Sequence, residues 1–256
     1  MYLISINMGC INTKYKYLKV NKISKYHPLI EIPELSNRNN IFYSRDKRFF
    51  LKTIKSMKSL EIVHLKKCQN HKNIISIIEI LQTSPNNLYI VMKKYDHDLF
   101  QIFANFNEFN LTYKNLFNIY LQIIDAIIFC HSKRIVHLDI KLENVMVKSI
   151  HPVKIKLIDF GLSRLVPKNN QIIFIKNKLG TKNYKAPEIN KFYCTFKSDV
   201  YSLAMLIKIS KELINAKIIN DYLNFEKGLL KKCLSKDWRN RPSLKEISFY
   251  LKNRKF

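Results

Sequence analysis

The sequence predicts an α+β fold in two parts, a small antiparallel sheet carrying one helix and then a mainly helical half. Three observations predict it. From Leu29 to Met92, short runs of β-branched and aromatic residues alternate with turn signals, with one stretch of helical period between them. After Tyr95-Asp96-His97-Asp98 the period lengthens to that of amphipathic helices. Within the helical half, two short apolar runs, Val145–Val147 and Ile155–Ile158, read as a hairpin turning near His151–Pro152.

Taken in order, residues 1–27 are mixed polar and aromatic without a period, an extension ahead of a domain over 28–256. From Leu29 to Ile54 the pattern gives three antiparallel strands: L-I-E-I, then I-F-Y-S, then R-F-F-L-K-T-I after a turn at Arg45-Asp46-Lys47. Residues 56–69 have helical spacing, with Met57, Leu60, Leu65 and Cys68 near one face. Ile74–Gln82 and Leu88–Met92 read as two more strands around Pro85-Asn86-Asn87, completing a five-stranded sheet. A hinge near Lys93–Tyr95 divides a first lobe of about 28–93 from a second of about 96–256. There Leu99–Phe106 is a short helix. Tyr113–Ser132 is a long one, with Leu116, Ile119, Tyr120, Ile123, Ile124, Ile127 and Ile128 at helical spacing. After the hairpin come an Asn-rich polar stretch to Leu179, the box G-T-K-N-Y-K-A-P-E, and helices at about 198–213, 219–234 and 243–252.

At 256 residues the chain is long enough for a sizeable core, and 47% hydrophobic residues is ordinary for a globular protein. Lys or Asn interrupts every apolar run short of membrane-spanning length. The opening Met1–Ile6 has no basic n-region, and neither terminus carries a lipidation box. Five scattered cysteines, Cys10, Cys68, Cys130, Cys194 and Cys233, form no C-x-x-C, so disulfide and zinc frameworks are not expected. The expected location is intracellular, cytoplasmic or nuclear.

The formal net charge of +26 admits an acidic partner, whether nucleic acid, an anionic membrane or acidic protein substrates. The lysines are spread along the whole chain, however, and the heavy use of Lys, Asn and Ile is what an A+T-rich coding sequence of a virus or intracellular parasite would give. A nucleic-acid module would need a clustered basic face with interleaved aromatics, which the sequence does not display. That reading is not favoured, and the sequence sets no oligomeric state.

Around the hairpin lie Asp139, Lys141, Asn144 and Asp159: two carboxylates, an amide oxygen and an ammonium. Phosphoryl transfer needs that set, since oxygen ligands hold Mg²⁺, a carboxylate orients a hydroxyl, and a cation meets developing phosphate charge. Each alone is as easily a polar residue in a turn. Together the stretches H-L-D-I-K-L-E-N (137–144) and D-F-G (159–161) resemble the catalytic loop and metal-binding motif of eukaryotic-type serine/threonine protein kinases.

The resemblance runs from about Leu29 to Leu251 and implies the bilobal protein-kinase fold. It implies ATP as co-substrate with Mg²⁺, or Mn²⁺ in its place, and proteins with Ser or Thr hydroxyls as substrates. Asp139 and Lys141 would be catalytic, and Asn144 and Asp159 would bind the metal. Lys52 would grip the α- and β-phosphates and Glu61 would pair with it. Ile32, Ile41, Met92, Tyr95 and Met146 would line the adenine site. Ala186-Pro187-Glu188 matches the A-P-E box, with Glu188 implied to pair with Arg241 in W-R-N-R-P, and Thr181 implied to contact Asp139.

Five departures from the family pattern stand out. The segment Ile32–Ile41, where glycines would let backbone N–H groups approach phosphate, has none. Phe50 stands where the family has a small alanine, on the same strand face as Lys52. Leu138 replaces the arginine of H-R-D, and no Ser, Thr or Tyr occurs from Leu165 through Gly180. Asp199 to Arg241 spans only 42 residues, short for the family. The expected function is a serine/threonine protein kinase active without activation-segment phosphorylation, held in place instead by packing of Ile172–Ile175. The alternative is a pseudokinase scaffold.

Overall fold

The computed structural model describes residues 26, 30–31, 41–44, 46–54, 56–57, 59–84, 87–214 and 226–253. The chain divides into two compact units, residues 1–56 with 78–92 and residues 57–77 with 93–256.

The first unit is the expected antiparallel sheet. Strands β1 (Ile30–Glu31), β2 (Ile41–Tyr43), β3 (Phe49–Ile54), β4 (Ile77–Ser84) and β5 (Asn87–Lys93) lie in the order β1-β2-β3-β5-β4. The β2–β3 turn is closed by its own side chains: Ser44 Oγ donates to Asp46 Oδ1 at 2.6 Å, as does the Arg48 N–H at 3.0 Å. Alternation along β3 then separates two faces. Phe49 and Leu51 pack into a core with Tyr26, Leu81, Val91, Phe42 and Tyr89, while Phe50 and Lys52 point the other way. Opposite them across the register lie Tyr43 and Ile41. Tyr26, from the predicted extension, is buried in this core and its hydroxyl donates to Glu79.

Helix α1 (Leu60–Lys67) belongs to the second unit and is shorter than the predicted 56–69. It buries Glu61, Ile62, His64 and Leu65, and the turn at Cys68 closes it. The predicted strand from Ile74 begins only at Ile77. Ile74 instead bridges Leu157 in parallel, and the Ile75 N–H donates to the Leu157 carbonyl at 3.0 Å, so this segment docks on the hairpin.

The rest of the second unit is built on α3 (Tyr113–Ser132), as its periodicity predicts. A reciprocal cap starts it: Thr112 accepts from the Asn115 N–H, and Asn115 accepts from the Thr112 N–H. The shorter α2 (Leu99–Ala104), capped likewise by Asp98 and Gln101, ends two residues before the predicted Phe106. The hairpin β8 (Val145–Ser149) and β9 (Lys154–Leu157) pairs with β6 (His97–Asp98) and turns at a cis His151–Pro152 bond.

Two small sheets were not visible in the sequence. β7 (Ile135–Val136) pairs with β10 (Arg164–Leu165), and β11 (Ile173–Phe174) with β12 (Tyr193–Cys194). Two-residue strands are too short for any period to register. Helices α4 (Phe196–Ile214), α5 (Glu226–Cys233) and α6 (Leu244–Lys252) follow, residues 219–225 of the predicted 219–234 helix lying outside the described residues. No helix among the described residues is long and apolar enough to cross a membrane.

Candidate active site

The loop from His137 to Asn144 is fixed from beneath by one carboxylate. Asp199, on the first turn of α4, is fully buried and accepts from the N–H groups of His137 at 2.9 Å and Leu138 at 2.8 Å. His131 adds a third bond at 2.8 Å. Burial pushes the Asp199 carboxyl up, but the bonds from His131 and from the His137 N–H outweigh it and hold it below the usual carboxylate range. With both N–H groups turned inward, Leu138 takes a left-handed φ of 65°.

His137 fastens the second end of the loop. Its Nε2 donates to the Ile158 carbonyl at 3.1 Å and its Nδ1 accepts from the Asp139 N–H at 3.3 Å, while its ring meets Phe160 edge-on at 4.8 Å. Asp139 and the two residues flanking Asp159 are thus tied to one imidazole.

Asp139 is buried among polar partners that leave it little freedom. Thr181 Oγ1 donates to its Oδ1 at 2.8 Å, Asn144 Nδ2 donates to its Oδ2 at 2.8 Å, and the Lys141 ammonium lies 3.5 Å from Oδ2. Lys141 also donates to Thr181 Oγ1 at 3.1 Å. Gly180 makes this approach feasible: its φ is +89°, and a Cβ there would stand 2.9 Å from the Leu138 carbonyl oxygen.

Asn144 spends its amide nitrogen twice on Asp139, on Oδ2 and on the backbone carbonyl at 2.9 Å, which leaves Oδ1 for an outside cation. The Ile158 N–H donates to the Asn144 carbonyl at 2.9 Å and so brings Asp159 alongside. Asp159 has φ 61° and accepts from the Gly161 N–H at 3.2 Å. Asn144 and Asp159 together offer hard oxygens. That donor set fits Mg²⁺, a hard cation that takes oxygen ligands, and these two side chains would hold it.

Glu61 of α1 reaches the same corner, since a Cβ built on Gly161 would be 3.7 Å from its Oε2. A link absent from the sequence reading holds that helix. Ser163 Oγ donates to the Phe160 carbonyl at 2.6 Å and accepts from His64 Nδ1 at 2.8 Å, with both side chains buried. No local pattern could reveal a pair so far apart in the chain.

The remaining predicted residues lie as follows. Lys52 is buried on β3 of the first unit, and Ile41 pairs with it across the sheet. Phe50 sits beside Tyr43, ring centroids 6.1 Å apart. Met92 is buried on β5. In the second unit Tyr95 is half-buried, its phenol pushed up by burial, and Met146 is half-buried on β8, paired with Asp98. Ile32 lies outside the described residues.

Away from the catalytic loop, Glu188 and Arg241 form the expected pair. Both nitrogen–oxygen contacts are 2.7 Å, and the side chains are 1% and 0% exposed, so a bidentate bridge joins the A-P-E box to the turn before α6.

The protein kinase domain family matches residues 44–250. The chain belongs to the protein kinase family. Calcium-dependent protein kinase 6 of Plasmodium berghei is 29% identical over 89% of this chain, which spans 16% of that protein. R436 of Acanthamoeba polyphaga mimivirus, which bears a provisional serine/threonine-protein kinase name, is 30% identical over 73% of this chain and 76% of its own length. The testis-specific serine/threonine-protein kinase 3 of Mus musculus is 27% identical over 71% of this chain and 74% of its own. The chain spans 25% or less of the first three curated relatives it matches. The α+β class expected from the sequence, a sheet-rich first part and a helical second, is that of the family.

Proposed function

We propose that this chain is a serine/threonine protein kinase that moves the γ-phosphoryl group of ATP to protein hydroxyls and works without a phosphate on its activation segment. The observation that carries this reading is the immobilised Asp139, held by Thr181, Asn144 and Lys141 with both carboxylate oxygens engaged. A carboxylate so fixed can orient an incoming hydroxyl and take its proton as the oxygen bonds to phosphorus. The β–γ bridging bond breaks and ADP leaves. Lys141 would offset charge on the transferring group, and Lys52 would hold the α- and β-phosphates, as the family resemblance implies. Asn144 and Asp159 would hold Mg²⁺, which supplies charge neutralisation at the phosphates.

Independence from phosphorylation is supported by what surrounds Leu138. Instead of a cation awaiting phosphate, this position carries a buried side chain packed with Val166, Ile175, Ala186, Ile189 and Cys194. Strand β11 pairs with β12, so the Ile172–Ile175 run is both hydrogen-bonded and packed. An apolar contact here is present whether or not any residue is modified.

The glycine-free 32–40 segment and Phe50 favour a second reading, a pseudokinase that keeps the fold for partner binding. Labelled ATP with generic protein substrates, followed by phosphoamino-acid analysis, separates the two. Phosphoserine or phosphothreonine on the substrate supports transfer; ATP binding with no label moved supports the scaffold.

A further inference from the structure

The segment beside the catalytic carboxylate carries a one-sided charge. From Gly161 to Lys197 the basic residues are Arg164, Lys168, Lys176, Lys178, Lys182, Lys185, Lys191 and Lys197, and the sole carboxylate is Glu188. Glu188 is buried and consumed by Arg241, so this stretch exposes no acidic group at all.

Two of these lysines are tied to the reacting centre. Thr181, whose hydroxyl touches Asp139, is followed directly by the exposed Lys182. Its carbonyl accepts from the Lys185 N–H at 3.0 Å, and the Lys185 stem lies 3.7 Å from where a Gly180 Cβ would be. Among the described residues neither Lys182 nor Lys185 has a carboxylate partner. Further along, Lys178 lies over the Phe192 ring at 5.7 Å, and Phe174 is 80% exposed on β11 beside Lys176. A lone exposed carboxylate faces this region from the catalytic loop. Glu143, after burial, helps push the Tyr184 phenol up to about 12.

We propose that the substrate of the transfer reaction is an acidic polypeptide segment, with carboxylate or phosphorylated side chains within a few residues of the acceptor hydroxyl meeting Lys182 and Lys185. The proposal rests on the transfer reading above. Unpaired ammonium groups next to the acceptor site favour anionic neighbours and penalise cationic ones, because a like charge brought there cannot be neutralised. Their even spread elsewhere on the chain gives long-range attraction but no register, whereas Lys182 and Lys185 have one fixed by Thr181.

The test uses one serine peptide in four versions, with flanking Asp/Glu, phosphoserine, neutral or Lys/Arg residues, and compares kcat/KM. The acidic or phosphorylated peptide is expected to exceed the neutral one by about threefold or more, the scale of one partly exposed ion pair. That ratio should shrink as salt rises from about 0.05 M to about 0.5 M. In Lys182→Glu and in Lys182→Glu/Lys185→Glu it should fall toward or below unity; the exposed Lys182 keeps the test alive if the double variant does not fold. Preference for phosphoserine over Asp/Glu would assign the anion to prior phosphorylation, and the reverse to acidic sequence. Equal rates on all four peptides, or a preference for the basic one that Glu143→Gln removes, would overturn the proposal while leaving transfer intact. No label on any peptide would overturn both.

Discussion

Asp139 is held by its neighbours, and those neighbours were only partly legible in the sequence. Lys141, Asn144, Asp159 and Thr181 could be named because their chemistry and spacing sit inside one short motif or match a box downstream. Asp199 could be matched to a helix start, but not seen as the anchor of His137 and Leu138, because a contact spanning 62 residues leaves no local trace. The Glu188–Arg241 pair makes the sharpest prediction at this scale. Removing one partner leaves the other charge buried without compensation, which typically costs about 3–5 kcal/mol. Arg241→Leu is therefore expected to lower the melting temperature by many degrees. Glu188→Gln/Arg241→Leu should lose less than the sum of the single changes, because no lone buried charge remains. Additive losses in thermal unfolding would show that the bridge is not the coupling.

Long elements with a strong period were readable and short ones were not. Helix α3 begins and ends where its apolar spacing predicts, whereas the two-residue strands of the activation segment depend on distant partners. Two predictions belong to these elements. His64 joins α1 to Ser163, and burial, with Lys67 and Arg164 nearby, pushes its pKa from 6.5 down to about 4. Unfolded, the ring takes up a proton below about 6.5; folded, it stays neutral until about 4. Between those values the unfolded chain binds more protons, so stability is full above pH 6.5 and is lost as pH falls toward 4. His64→Gln should flatten that part of the stability profile, and an unchanged slope would remove His64 as its source. The second concerns the Leu138 cluster. Phosphatase treatment should leave the initial rate unchanged, while Leu138→Ala should lower it by opening a cavity under the segment. A large loss of rate on dephosphorylation that tracks a phosphate on residues 162–185 would refute packing as the device.

At the scale of the whole molecule, a sheet unit carries Lys52 and a helical unit gathers Glu61, Asp139, Asn144 and Asp159. Grouping α1 with the second unit was not foreseen, since its period reveals a helix but not the partner it packs on. The five-stranded sheet was foreseen, because each strand alternates and is bounded by turn residues. What this arrangement is proposed to do comes down to one carboxylate. The measurement is label transfer from γ-labelled ATP to a protein substrate by the wild type and by Asp139→Asn, with thermal unfolding of both. Asn keeps the shape and can still meet Thr181, but it cannot take a proton. The expected result is transfer by the wild type, a fall of about 10²-fold or more in the variant, and a melting temperature within a few degrees. Near-wild-type transfer by Asp139→Asn would contradict it.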